Sequence, residues 1–157
     1  MTPSSQREAW DVELRPHLTP LFAYAAAFLI ASVHIVAGLL LKTQTSGVVF
    51  QTADQVALAL LGLVLAGAVL LFARPRLRVG PDGLSVRNLL GDRLIPWTET
   101  VGVSFPAGSR WARIDLPDDE YVPVMAIQAV DKDRAVAAMD AVRRLLARYR
   151  PDLATGI

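Results

Sequence analysis

The sequence contains no cysteine and only two histidines among its 157 residues. The absence of cysteine excludes disulfide bonds, thiolate chemistry and zinc–thiolate sites, and two histidines are too few for a histidine-rich metal site. The net charge of +1 gives no electrostatic reason to expect nucleic acid as a partner. Apolar residues are abundant instead: they make up 53% of the chain and are concentrated between residues 20 and 73.

Two uninterrupted apolar segments lie in this region. Residues 20–41 carry no formal charge, and residues 56–73 consist entirely of Ala, Val, Leu, Gly and Phe. At 1.5 Å per residue the first segment spans roughly 33 Å, which matches a hydrocarbon core about 30 Å thick. Two such helices joined by a short loop leave too little protein to bury both. We therefore expect a transmembrane hairpin rather than two core helices or a cleaved signal peptide, whose apolar run is shorter.

Basic residues flank the hairpin unevenly. The connecting loop contains only Lys42, whereas the other ends of the two segments carry Arg7, Arg15, Arg74, Arg76 and Arg78. Because basic flanks stay on the cytoplasmic side, both termini are expected in the cytoplasm and residues 43–52 outside. This pattern predicts an integral, two-pass protein of the cell membrane.

Small residues recur along both segments: Ala23, Ala27, Ala31 and Gly38 on the first, Gly62 and Ala66 on the second. Such residues let two helices approach closely in lipid. His34 lies on the face of Ala27 and Gly38, which leaves two interpretations. It is either a neutral imidazole bonded to a carbonyl of the facing helix, or a proton-transfer or ligand-binding group in a small subunit of a transport complex.

The flanking regions have the alternating pattern of β-strands. Residues 10–15 alternate between apolar and charged side chains, which predicts a short strand that joins the domain following the hairpin; the alternative is that Trp10 is an anchor at the membrane interface. After Pro75, about six strand-like runs are separated by turn residues, at 76–79, 84–90, 93–97, 101–105, 111–116 and 121–126. Their spacing of about 8–12 residues predicts an antiparallel sandwich or small barrel.

An amphipathic helix is expected next, with its apolar stripe formed by Val136, Met139, Val142, Leu146 and Tyr149. Asp131 or Asp133 can cap its start, and Pro151 ends it before a frayed tail at 151–157. A curved sheet followed by one covering helix is the order of the pleckstrin-homology (PH) fold. The expected domains are a cytoplasmic segment at 1–19, the hairpin at 20–73 and a cytoplasmic PH-like domain at 74–150.

Residues 83–93 (G-L-S-V-R-N-L-L-G-D-R), followed by Trp97 and by the R-W-A-R run at 110–113, resemble bacterial PH-like domains. They are similar to the actinobacterial low-molecular-weight protein antigen 6 family, small proteins with a membrane hairpin before a short PH-like domain. The resemblance implies the fold, a membrane location, and lipid or protein binding. It supplies no catalytic residue and no cofactor.

No constellation of catalytic residues stands out in the sequence. There is no Ser-His-Asp set and no phosphate-cradling glycine motif. Residues 118–120 are acidic, which fits either a solvated hairpin turn or a calcium or magnesium site. The expected protein is therefore not an enzyme and needs no cofactor.

Arginines near the second span are the main candidate site: Arg74, Arg76, Arg78, Arg87 and Arg113. They serve either topology and surface charge alone, or contact with anionic lipid, where each membrane-proximal charge contributes about 1 kcal/mol. Trp111 and the sheet edges are candidate contacts for a partner protein or for self-association. The leading hypothesis is a membrane-anchored interaction module, with lipid binding and a transport subunit as alternatives.

Overall fold

The computed structural model describes residues 10–41 and 51–154. These residues form two compact units: a helical unit, Leu18–Arg74, and a β-rich unit that combines the residues up to His17 with those from Pro75 onward. Arg7, Lys42 and residues 43–50 of the expected outer loop lie outside the described residues, as do residues 155–157 of the tail.

The helical unit contains α1, Leu18–Leu41, and α2, Thr52–Leu70, which continues into a 3-10 turn at Leu71–Ala73. By length and composition both helices are apolar enough to cross a membrane. Each begins before the apolar run itself. Pro20 fits the first turn of α1, where its missing N–H is unneeded. At the start of α2 the Asp54 carboxylate accepts the backbone N–H of the N-cap residue Gln51 at 2.9 Å, so this N–H has a hydrogen-bond partner.

Small residues form the contact between α1 and α2. Ala23, Ala27 and Ala66 are buried, whereas outward side chains such as Phe28 and Val64 are 77% and 69% exposed. Gly62 lies so close to His34 that an added Cβ would overlap the histidine Cβ. The expected small-residue face is therefore where the two helices pack.

Within residues 10–41 and 51–154, seven strands form two antiparallel sheets rather than one closed barrel. The first sheet has the order β1-β2-β3-β4, with β1 at Val12–Leu14, β2 at Arg76–Gly80, β3 at Gly83–Arg87 and β4 at Asp92–Ile95. The second has the order β5-β6-β7, with β5 at Gly102–Ser104, β6 at Trp111–Asp115 and β7 at Tyr121–Gln128. The barrel half of the expectation is thus replaced by a two-sheet PH-like arrangement.

The strand before the hairpin belongs to the first sheet. Val12 is the register partner of Val79, and Leu14 is the partner of Leu77. Since β1 and β2 are neighbours, both helices are inserted between two paired strands of one domain. The PH-like unit therefore begins before residue 74, the expected domain boundary.

The core lies between the two sheets and α3, Asp133–Tyr149. Its fully buried side chains come from both sheets and include Leu77, Leu84, Ile95, Ile114 and Val124. On α3 the core contacts are Ala135, Met139 and Val142, whereas Val136 is 61% exposed. The predicted stripe was wrong at Val136, because residues 135 and 136 both lie within one turn of Met139 and the spacing favoured the larger side chain.

The start of α3 also differs from the expectation. Lys132, rather than Asp131 or Asp133, occupies the N-cap with a φ of 47°, and its side chain makes no capping hydrogen bond. The Asp131 carboxylate accepts the backbone N–H of His17 at 3.1 Å. Asp131 thereby fastens the end of the N-terminal segment to the domain.

The end of α3 is tied to the first sheet through an aromatic pair. Tyr149 stacks on Trp97 with ring centroids 5.1 Å apart, and the Trp97 indole N–H donates to the Gly80 carbonyl at 2.9 Å. Arg150 donates to the carbonyls of Trp97 and Thr100. A short helix, α4 at Pro151–Ala154, follows where a frayed tail was expected.

Candidate functional site: the arginine face of the first sheet

Both chain connections of the β-rich unit leave from one end of the first sheet. β1 ends at Leu14 opposite Leu77, so residues 15–17 run past the start of β2. β3 ends at Arg87 opposite Arg76, so the β3–β4 loop at 88–91 lies at the same end. We call this the connection end of the sheet.

Three of the five candidate arginines share the outer face of this sheet. Because Leu77, Val79 and Val86 point into the core, strand alternation places Arg76, Arg78 and Arg87 on the opposite face. Arg76 and Arg87 are direct register partners. Like charges directly opposite each other on neighbouring strands destabilise a sheet unless an anion lies close to them.

Two carboxylates only partly neutralise the face. Glu13 accepts Arg78 Nε at 2.6 Å and also pairs with Arg15 at 2.6 Å. The hydrogen bond from Arg78, followed by that from Arg15, lowers the pKa of Glu13 below its ordinary value of 4.5. Asp92 lies 3.6 Å from Arg87 Nε. Among the described residues Arg76 has no carboxylate partner, so the face keeps an excess of positive charge.

The other two candidate arginines do not join this face. Arg74 belongs to the helical unit, where its backbone N–H donates to the Leu71 carbonyl at 3.1 Å. Arg113 lies on the second sheet, where it pairs with Asp115 at 2.7 Å and donates to Ser104 Oγ at 3.0 Å. Its guanidinium also covers the Tyr121 ring at 5.2 Å. These local partners account for Arg113 without a ligand.

Two residues at the connection end were missed as site residues. Arg15, interpreted only as a topology signal, joins the arginine face through Glu13. Leu90, interpreted as part of a strand, is a loop residue and is 86% exposed. The signal for a loop was the polar Asn88 before the leucine pair and Gly91 after it.

Trp111 lines a groove on the second sheet. The half-buried indole, Arg110, Gln128, Ala129 and Val130 enclose about 470 Å³. Trp111 pairs with Gln128, but its neighbour Ala112 pairs with Val124, so the register shifts at this point. Such a bulge re-aims side chains at the end of a sheet. Val130 is 49% exposed at the rim, which leaves an accessible apolar contact beside the indole.

His34 is bonded within its own helix. Its Nδ1 lies 2.8 Å from the carbonyl oxygen of Ile30, so Nδ1 carries the proton and donates to that oxygen. The facing helix contributes Gly62 beneath the ring rather than the expected carbonyl acceptor. Gln55 makes the polar contact between the helices, donating to the Gly38 carbonyl at 2.9 Å. A transport role for His34 stays a prediction.

The acidic run at 118–120 forms the turn between β6 and β7. Asp118 and Asp119 have φ angles of 59° and 58°, a left-handed conformation that aspartate tolerates in turns. The Leu116 N–H donates to the Glu120 carbonyl at 2.8 Å and closes the turn. In the part of the chain that the structure describes, no group of three or more His, Cys, Asp or Glu side chains is arranged to hold a metal ion.

Comparison with known proteins supports the PH-like interpretation. A family model described as a bacterial PH domain matches residues 74–145. Uncharacterized protein Rv1417 and Uncharacterized protein MT1460 of Mycobacterium tuberculosis, and Uncharacterized protein Mb1452 of Mycobacterium bovis, are each 82% identical over 144 residues. These matches cover 92% of this chain and 94% of each relative. No solved structure matches the chain. The bacterial PH domain is thereby confirmed, whereas the narrower resemblance to the antigen 6 family stays a prediction.

Proposed function

Since the chain belongs to the same family as these mycobacterial proteins and carries a bacterial PH domain, we propose that it is a non-enzymatic, membrane-anchored interaction module. The observation that carries the proposal is the insertion of α1 and α2 between the paired strands β1 and β2. A hairpin embedded in the bilayer would hold the PH-like unit through two short connections. The domain could then present its surfaces at one membrane face and could not diffuse away.

The exposed surface of the helices supports lipid as their environment. Large side chains such as Phe28, Leu39 and Val64 are more than half exposed, although both helices are strongly apolar. Apolar surface left in water costs about 25 cal/mol per Å², so this surface requires lipid or another apolar cover. The basic flanks favour cytoplasmic termini in the cell membrane.

We propose a protein, or a second copy of the chain, as the main partner, bound at the Trp111 groove. An indole in a half-open pocket next to an exposed apolar rim is the kind of feature that anchors protein interfaces. Val130 forms that rim, and Val101 offers a matched surface control because the two are 49% and 50% exposed.

A photoreactive amino acid at position 130 of the full-length protein in native membranes tests this partner. We expect one discrete adduct, with a protein or with a second copy, from position 130 and none from position 101. The adduct should disappear in the Trp111→Ala variant. Equal labelling from both positions, or no adduct from position 130, would contradict the protein-binding proposal.

The arginine face favours a second function, direct binding of anionic lipid. Arg76 and Arg87 are register partners, and Asp92 lies 3.6 Å from Arg87 Nε; an anionic headgroup would relieve the repulsion between the two arginines. Each arginine near an anionic leaflet contributes about 1 kcal/mol of attraction, which salt weakens. The two functions are compatible, but they make different predictions for vesicle binding.

A further inference from the structure

Leu90 has the most exposed large apolar side chain among the described residues outside the two helices, at 86%. It stands at the tip of the β3–β4 loop, beside the half-buried Leu89. An isolated exposed leucine needs no explanation by itself. The position of Leu90 in the fold and the residues beside it suggest a role for its exposed side chain.

The loop that presents Leu90 is held in a defined position. The Asn88 backbone N–H donates to the Gly91 carbonyl at 3.0 Å and closes the loop. The Asn88 side chain donates to the Pro123 carbonyl at 2.9 Å and accepts the Met125 N–H at 3.2 Å. These bonds fix the loop on β7, so the outward direction of Leu90 is built into the domain.

The loop lies at the connection end of the first sheet, where the chain leaves for α1 and returns from α2. Register places it there, because Arg87 pairs with Arg76 and Leu14 with Leu77. Arginines flank the leucine pair on both sides. Arg87 precedes it on the outer face, where its register partner Asp92 lies 3.6 Å from its Nε. The exposed Arg93 follows Asp92 and, as the register partner of Val86, belongs to the opposite face at the sheet edge.

We propose that the β3–β4 loop inserts Leu90 into the apolar layer of the bilayer, with Arg87 and Arg93 at the level of the anionic headgroups. An apolar tip with a cation on each side matches the layered chemistry of a membrane surface, apolar inside and negative at the rim, and Asp92 offsets only part of the charge of Arg87. The inference rests on the proposed membrane anchoring. It adds a third attachment point, which fixes the orientation of the domain on the membrane.

The absence of cysteine allows a direct test with single-cysteine variants of the full-length protein. Each variant carries one environment-sensitive fluorophore and is reconstituted into vesicles of phosphatidylcholine and phosphatidylglycerol containing acyl-chain nitroxide quenchers. Leu90→Cys reports the loop and Val64→Cys reports α2. Asp82→Cys, in the β2–β3 turn, is the matched control, because it lies at the opposite end of the sheet, roughly 16 Å away.

We expect several-fold stronger quenching and a blue-shifted emission at position 90 relative to position 82. The fluorophore at position 64 should be strongly quenched, because we expect this side of α2 to face lipid. This signal tests the membrane anchoring separately from the loop insertion. Quenching at position 64 with equal, weak quenching at positions 90 and 82 would overturn the loop insertion and leave the anchoring intact. Weak quenching at all three positions would overturn both. The same fluorophore at position 82 controls for insertion driven by the label.

Discussion

Leu14 and Leu77 are direct partners across antiparallel strands, although residues 15–76, which include the whole helical unit, separate them in the sequence. Leu77 is fully buried, and Leu14 packs against the same core. The PH-like unit is therefore complete only when the segment before the hairpin returns to it. A short polar linker between His17 and Pro75 should replace the hairpin, because both residues lie at the same end of the sheet.

This hairpin-deleted variant should be a soluble, cooperatively folded domain. A second variant that begins at residue 75, and so lacks β1, loses the packing of Val12 and Leu14 and the strand pairing. We expect it to be less stable by about 2–4 kcal/mol, since burying one large aliphatic side chain contributes about 1.5–3 kcal/mol and these two are half buried. Urea denaturation of both variants measures the difference. Equal stability would show that β1 is not an integral strand.

The Arg76–Arg87 pair makes a prediction for lipid binding. In the hairpin-deleted variant, Arg76→Gln should leave stability unchanged or raise it by up to about 1 kcal/mol, because a like-charge pair is removed. If lipid is a ligand, the same change should weaken salt-sensitive sedimentation with phosphatidylglycerol vesicles.

Arg113→Gln is the matched control, because Arg113 lies on the second sheet with its own partners. It should leave vesicle binding unchanged. Equal losses for both variants would indicate nonspecific charge attraction. If the parent domain does not sediment with vesicles at all, the lipid-binding function is contradicted and the protein-binding function is favoured.

Glu13 makes a pH prediction. Its folded-state pKa lies below the ordinary value of 4.5, so the carboxylate stabilises the fold fully above that value. This contribution is lost as the pH falls through the lower, folded-state pKa. Because the pair is solvent-exposed, the contribution is at most about 1 kcal/mol. Urea titrations of Glu13→Gln and the parent domain should differ at neutral pH and converge in acid; a difference that grows in acid would contradict the assignment.

Two glycines of α2 make a matched pair for the helix contact. An added methyl at Gly62 overlaps His34, whereas one at Gly67 meets nothing within 4 Å. We expect Gly62→Ala to lower the stability of the full-length protein in detergent by about 1–3 kcal/mol. Gly67→Ala should be neutral or slightly stabilising, since alanine favours helix. Thermal unfolding in micelles tests this, and equal effects would contradict the packing.

Most of the regular elements could be predicted from local patterns. Alternation marked β1, β2 and β6, and turn residues such as Pro81-Asp82 marked where the strands end. The errors came from choices that only tertiary contacts decide. Ala135 rather than Val136 faces the core, and Lys132 rather than Asp131 or Asp133 occupies the N-cap of α3.

The candidate site was predictable as a set of charges but not as an arrangement. Counting arginines grouped Arg113 with Arg76 and Arg87, although the split into two sheets separates it from them. Only strand register places Arg76 opposite Arg87. Leu90 was missed because an apolar pair after a strand resembles more strand when the loop conformation is unknown.

We propose that residues 18–74 anchor this PH-like domain in a membrane. The most direct test expresses the full-length protein and the hairpin-deleted variant and extracts isolated membranes at alkaline pH before high-speed centrifugation. We expect the full-length protein in the pellet until detergent is added, and the hairpin-deleted variant in the supernatant. Recovery of the full-length protein as a monodisperse species in the detergent-free supernatant would contradict it.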